Sequence, residues 1–551
     1  MSKTPKNEKP ISASPAGSFL VQGSILAAAG ILVRFIGLLY RIPMTRILGD
    51  AGNGYYSTTF EIYNIGLILS SYGLPLAVSK LVAARRVREQ YGDVRRIFQS
   101  GLLFGVVSGG LMTGIMLFGA DWITTTFFQS PSCALSLRVL SPTILVFSIM
   151  GVIRGYFQGQ DNMVPTSVSQ IIEQIVNAVV SIAASYAFMR WFASHDNPGA
   201  YGAAGGTLGT LSGAVAALIF LLVLLLRYQR KNHLELNRPQ SIPAETWGAA
   251  GSALILTMTP IILSQFVYQV SGSLDNSMFS LILNGKGFGE EERATLWGIY
   301  SSKYRLLSNV PVAIASALGA SMIPSIVRSR VQQRNDEVRY KIYMTVKFNM
   351  LIAIPCAVGL GVLASPIMRL LFGDSRTLTA QLMQLGAPAV VFFSLSTVTN
   401  AVLQGTDLMR KSVTHSAISL LIHVALVYLM VRWLDWGVYG LVIGNVTFAL
   451  VVCALNWAAI GKHLKYRQEV KTTFLLPLAA ASVMGVAAYA VYYGSFALFH
   501  SNKISLAISI PLAMLLYGGL IARFGAVEEE ELMDMPFGRK LSRICKKAHL
   551  M

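Results

Sequence analysis

The stretch from Ser141 to Met163, SPTILVFSIMGVIRGYFQGQDNM, returns as Ala387 to Met409, APAVVFFSLSTVTNAVLQGTDLM. Pro142 aligns with Pro388, Phe147 and Ser148 with Phe393 and Ser394, and Val152 with Val398. Gln158 and Gly159 align with Gln404 and Gly405, Asp161 with Asp407, and Met163 with Met409, all at one ungapped offset of 246 residues. The chain therefore reads as a duplicated unit. Each copy is an apolar run closed by a polar QG-x-D turn, the pattern of a membrane helix meeting water.

Composition supports that setting. Only 13% of the 551 residues are charged, against about 25% in a soluble protein. The net charge of +19 lies largely in short loops between apolar runs. It reads as a topology signal and an anionic-lipid contact. No basic surface interleaved with aromatics suggests a nucleic-acid partner. Cys133, Cys356, Cys453 and Cys545 are scattered without CxxC or a histidine at ligand spacing, so they read as free thiols, with no metal site. The polar, basic N-terminus lacks a signal-peptide core, so the first span is expected to be retained.

A crossing needs about 20 mostly apolar residues. Candidate spans run near 19–42, 55–79, 98–119, 135–157, 165–191, 203–226, 247–271, 295–326, 343–364, 380–403, 412–432, 437–460, 472–495 and 504–523. The predicted fold class is an all-α polytopic membrane protein with about 14 transmembrane helices. In the seventh span the apolar pattern continues past Gly272 to Leu283, which suggests a long, bent helix. Basic residues fill alternate loops, such as Lys80, Arg85, Arg86 and Arg88 after the second span and Arg328, Arg330 and Arg334 after the eighth. By the positive-inside rule both termini are expected in the cytoplasm.

The repeat falls on spans 4 and 10, so the unit is six helices and the halves share one orientation, a parallel repeat. The expected organisation is a six-helix bundle over 1–226, a cytoplasmic linker over 227–246 and a second bundle over 247–460. Two extra helices over 461–523 and a cytoplasmic tail over 524–551 complete it. Paired bundles suit alternating access.

Ionisable groups inside spans are costly and tend to face cavities, partners or pathways. Arg34 and Arg41 on span 1 are seven apart, hence on one face. Glu61 and Asn64 share a face of span 2, and Arg154 sits near the inner end of span 4. Span 5 carries the stripe Gln170, Glu173, Gln174 and Asn177. Span 7 has Asp275 and Asn276. Span 8 has Arg305 and Asn309 on one face and Lys303 on another.

Each has a plainer reading. Arg41 and Arg154 can snorkel to headgroups. The span 5 stripe can be interhelical glue. Glu61 can neutralise an arginine across a helix pair, and Lys303 can sit near the outer interface. Arg34 and Arg305 lie deepest. Paired guanidinium groups suit phosphate oxygens, so a phosphate-bearing substrate is favoured over a cationic drug. No Walker loop, HExxH or GxSxG in a suitable setting points to an enzyme. GKGFG at 285–289 lies in a predicted external loop, so it is discounted as a phosphate site.

The segments LVRFIGLLYRIPMTRILG (32–49), RGYFQGQDNMVPTSVSQIIEQ (154–174), ALGASMIPSI (317–326) and IPCAVGLGVLASPIMRLLFG (354–373) carry a resemblance across nearly the whole chain. The chain resembles the multidrug/oligosaccharidyl-lipid/polysaccharide (MOP) flippase superfamily, in its MurJ and stage V sporulation protein B-like branch. The resemblance implies two six-helix bundles around a central cavity, with two extra helices forming a lipid-tail groove. It implies a lipid II flippase of the bacterial cytoplasmic membrane, monomeric and without cofactor. Flippases for capsule or teichuronic lipid-linked sugars, an ion-coupled drug antiporter and a sporulation scaffold remain as alternatives.

The family's cavity arginines map to Arg34 and Arg305, the latter across a one-residue gap before Pro311. A second arginine of the first helix maps to Tyr40, one place before Arg41. The expected substrate-binding set is Arg34, Arg41, Arg305, Lys303, Glu61 and Asn64. The expected gating or ion-coupling set is Arg154, Glu173, Asn177 and Asp275.

Overall fold

A computed structural model describes residues 15–231, 245–528 and 531. The basic head, most of the 227–246 linker, most of the 524–551 tail and Cys545 lie outside the described residues. Those described form helices and turns, without a strand.

In chain order the first eight helices are α1 (Pro15–Ser70), α2 (Leu74–Arg86), α3 (Tyr91–Phe118), α4 (Ala120–Phe128), α5 (Cys133–Leu140), α6 (Pro142–Gln158), α7 (Val164–Trp191) and α8 (Pro198–Lys231). Then come α9 (Trp247–Gly285), α10 (Glu290–Ile299), a π-helical turn (Tyr300–Arg305) and α11 (Leu306–Val331). The rest are α12 (Asn335–Val362), α13 (Ala364–Phe372), α14 (Thr377–Gly405), α15 (Met409–Arg432), α16 (Gly437–Leu464), a second π turn (Lys471–Leu475), α17 (Leu476–Phe499) and α18 (Asn502–Arg523).

Among the described residues, 11 helical stretches are long and apolar enough to cross a membrane, with Ala28–Arg86 counted as one. Straight, the 56 residues of α1 would run about 84 Å, far beyond a hydrocarbon core of about 30 Å. Gly49 breaks it, at φ 66° and ψ −179°, a conformation that suits glycine. The bend lets the Asn53 side chain donate to the carbonyl of Thr45, eight residues back, at 2.8 Å. The first part of α1 is thus one crossing, and the second part with α2 another. Adding α9, and α10 with α11 through the π turn, gives the expected fourteen. The polar side chains Arg293, Lys303, Arg305 and Asn309 explain why hydropathy alone passes over the eighth.

The two copies of the repeat share backbone geometry. Asp161 and Asp407, at the ends of α6 and α14, both take left-handed φ, 58° and 60°. They differ upstream: α6 begins at Pro142, whereas α14 runs on through Pro388.

Apolar burial forms separate clusters. One joins Leu74, Val78, Ile97, Ile153 and Leu221 of the first half, and also takes in Ala250, Leu254 and Met258 of α9. The later part of α9, with Phe279 and Leu283, packs instead with Trp297, Tyr304, Leu382 and Leu441. So α9 is shared between halves. Close helix approach fixes α7 against α8: a Cβ at Gly205, Gly209 or Gly213 would come within 2.4 to 2.5 Å of backbone atoms of α7. Small residues at four-residue spacing permit that approach. Outward faces are apolar, as at Leu111, Val179, Leu256, Leu421 and Leu515, which suits lipid.

Candidate functional site: a cationic cavity between the halves

Two ends of the bundle differ. At one end the halves are joined by backbone-level contact. A Cβ on Gly54 would lie 1.9 Å from the carbonyl oxygen of Ala294, and one on Gly298 equally close to that of Asp50. Around them Ser57 and Ser301 meet through their hydroxyls at 2.8 Å. Asn276 donates to Thr58 at 2.8 Å, and Glu290 accepts from the Ser132 amide at 2.9 Å. We term this the sealed end.

A buried ionic cluster backs the seal. Lys303 Nζ lies 2.6 Å from both Asp50 and Asp374, and Arg376 bridges the same two carboxylates. Burial alone would raise the Asp374 carboxyl. Hydrogen bonds from Arg376, Lys303 and Thr379 outweigh it and hold the group well below the usual carboxylate range.

From the sealed end toward the opposite, open end runs a cavity of about 1020 Å³. Its walls come from α1, α7, α8, α9, the π turn and α11. Three arginines, Arg34, Arg41 and Arg305, face it against one carboxylate, Glu61. Arg305 pairs with Glu61 across the halves at 3.1 Å and sits over the Tyr300 ring at 5.8 Å. Arg34 donates to the Ala313 carbonyl at 3.2 Å. Among the described residues neither Arg34 nor Arg41 has an ion-pair partner. The carboxamides of Asn64, Gln174, Gln269 and Asn309 also line the cavity.

Arg34, Arg41, Arg305, Glu61, Asn64 and Asn177 thus converge on one space. Asn177 is tied to Tyr40 and Ser181. Lys303 does not join them: the π turn and its own cluster direct it to the seal. Arg154 pairs with Glu173 at 2.9 Å and with Ser169 at 2.9 Å, bracing α6 against α7 away from the cavity lining. Asp275 lines a smaller chamber of about 210 Å³ in the second half. The GKGFG segment lies at the sealed end, where Lys286 donates to the Val431 carbonyl at 2.7 Å. Cys133, Cys356 and Cys453 are free thiols.

Sequence reasoning missed Asp50, Asp374, Arg376 and His423. Asp50 follows the Gly49 break, and Asp374 and Arg376 lie between α13 and α14, places where charge is unremarkable. His423 is an isolated histidine in the otherwise apolar stretch Leu420–Val427 of its helix, with no local signal of its partner.

A family model described as "Polysaccharide biosynthesis protein" matches residues 20–330, more than half the chain. The chain belongs to that family, within the MOP flippase superfamily. A second model, MatE, matches residues 298–429. Among curated relatives, stage V sporulation protein B of Bacillus subtilis (strain 168) is 26% identical over 528 residues, covering 96% of this chain and 99% of that protein. Lipid II flippase MurJ of the same organism is 25% identical, covering 91% and 94%.

Among solved structures, lipid II flippase MurJ in an inward closed conformation superposes with a TM-score of 0.67 at 14% identity, covering 91% of this chain and 98% of that one. An inward-facing multidrug resistance MATE family transporter gives 0.64 at 17%, covering 81% and 99%. These likenesses establish the MOP fold, that of a multi-pass membrane protein.

Proposed function

We propose that this protein is a flippase for a polyprenyl-pyrophosphate-linked saccharide, lipid II foremost, in the bacterial cytoplasmic membrane. The observation that carries the reading is the cavity's charge: three arginines against one glutamate, open at one end and sealed at the other. A desolvated pyrophosphate needs such cations, since guanidinium binds phosphate oxygens bidentately. The carboxamides offer donor and acceptor together, the pairing that sugar hydroxyls and amides require. A cationic drug would meet like charge, which disfavours the antiporter reading.

Among the described residues, the basic loops after α2 and after α11 lie at the end opposite the seal. Arg86 donates to the Gln160 carbonyl there at 2.6 Å, and Arg339 to that of Leu464 at 3.1 Å. The positive-inside rule then assigns this end to the cytoplasm, with both termini. In this reading the bundles are 1–226 and 247–460, and α17 with α18 offers the lipid tail an apolar face. The headgroup enters from the cytoplasm. Its phosphate draws Arg305 from Glu61, the cross-bundle bridge is lost, and the seal opens outward while the open end closes.

Native mass spectrometry tests this, with lipid II, undecaprenyl phosphate and a capsule-type lipid in competition. Preferential retention of lipid II, weakened by Arg305→Ala, is expected. Equal retention of all pyrophosphate lipids leaves the class and removes lipid II as the preferred substrate. No retention of any sinks the flippase reading.

A further inference from the structure

We propose that His423 of α15 and Asp275 of α9 form a proton-binding site whose occupancy controls the Arg305–Glu61 bridge. The hydrogen-bond inventory demands a proton between them. His423 Nδ1 lies 2.7 Å from the Gly444 carbonyl oxygen, and Nε2 lies 2.6 Å from Asp275 Oδ1. A carbonyl oxygen only accepts, so Nδ1 carries a hydrogen. A neutral ring then has a bare Nε2, which would face a carboxylate oxygen: two acceptors without a proton between them. Turning the ring over puts carbon against both oxygens. The observed geometry therefore needs one proton more than neutral imidazole plus carboxylate supplies, held on the ring or on the carboxyl. Loaded, the pair is neutral overall; unloaded, it carries one negative charge.

Both side chains are buried, at 2% and 5% exposure, so that charge matters. The groups facing it determine how the protein responds. The π turn contributes Arg305 and the Tyr300 phenol, with Tyr304 beside it, and α1 contributes Glu61. From α14 and α16 the chamber is lined by Phe393, Ser396, Thr397, Asn400, Asn445, Phe448 and Val452, none titratable. Cys453, next on α16, donates to the Phe392 carbonyl. On α15 itself, His415 is held by Asn456 at 2.8 Å. Arg305 is thus the cation among the groups facing the pair.

The small chamber shares Gln269, Gly272 and Arg305 with the large cavity. Arg305 stands between two acidic claimants. With the pair loaded, Asp275 is compensated, and Arg305 serves Glu61 and holds the halves together. When the proton leaves, passing through the small chamber to water in the large one, Asp275 competes for the same guanidinium. The cross-bundle bridge weakens and the sealed end is released. Only a proton moves; no covalent bond between heavy atoms changes. The coupling half of this inference rests on the alternating-access reading; the proton site does not.

Two measurements on full-length protein in lipid nanodiscs separate them. The first is infrared difference spectroscopy of the carboxyl and imidazole bands over about pH 5 to 9. The expected result is a one-proton titration that both His423→Gln and Asp275→Asn remove. The second is the distance between spin labels at Arg88→Cys and Arg334→Cys, on the open end of the two halves, with native cysteines replaced by serine. The expected distribution shifts toward a closed open end as pH rises, by up to about tenfold in population ratio per pH unit. Asp275→Asn holds the distribution of the loaded state at every pH. Absence of the titration in wild type overturns the site, even if neither variant folds. A titration with pH-independent distances overturns the coupling. Failure of lipid binding with both responses intact counts against the flippase reading and leaves this one standing.

Discussion

Lys303 and Arg305 are two residues apart and belong to different machines. Lys303→Met removes the buried cation of the seal and leaves Asp50 and Asp374 to the half-exposed Arg376, a loss of up to about 3–5 kcal/mol for a buried pair broken on one side. A lowered thermal midpoint with lipid affinity unchanged is the expected result, read by thermal unfolding and native mass spectrometry. Arg305→Ala should do the reverse, weakening lipid retention by about tenfold or more, since charge-assisted bonds are worth about 1.5–3 kcal/mol. The seal also has an acid limit. Asp374 is held below its ordinary range, so its contribution is fully present above the unfolded value of about 3.9 and is lost as pH falls from there toward the folded value. Stability of the sealed state should therefore be flat near neutrality and drop below about pH 4, as differential scanning fluorimetry would show. Arg34 and Arg305 were legible because a deep arginine in an apolar span has few uses. His423 was not, because its meaning depends on Asp275, 148 residues away.

At the scale of the helix, the π turn at Tyr300–Arg305 lies directly before the one-residue gap that the family resemblance requires ahead of Pro311. A π turn is an extra residue accommodated inside a helix; in sequence it looks like an insertion, and only coordinates show that the helix absorbs it. The angle of the Gly49 break was likewise hidden, since the glycine-rich GDAGNG between the first two spans signals a connection but no particular angle. The fourteen crossings and the repeat turns at Asp161 and Asp407 were readable, because hydropathy and loop charge report them directly. Gly298→Ala forces a methyl against the Asp50 carbonyl, with overpacking costs of about 1–3 kcal/mol. It should bias the protein away from the sealed arrangement. Increased labelling of Thr58→Cys by a membrane-impermeant thiol reagent applied from outside would register this; unchanged labelling would show that the seal yields elsewhere.

For the molecule as a whole, alternating access requires the seal to part. Ser57 and Ser301 have hydroxyls 2.8 Å apart on opposite halves. Ser57→Cys with Ser301→Cys should form a disulfide that abolishes lipid translocation in proteoliposomes while retaining lipid binding, with reduction restoring transport. Translocation at full rate by the oxidised protein would mean that the headgroup does not pass between these helices. The duplicated sequence locates the two halves but conceals how unequally they are joined. Because α9 is buried in the first half at Leu254 and in the second at Phe279, the seam of the folded protein does not coincide with the seam of the gene duplication. Anyone exchanging halves between relatives at the 227–246 linker would deprive one recipient of part of its core. A crossover near Pro260, within α9, would leave each hybrid with matched packing on both sides.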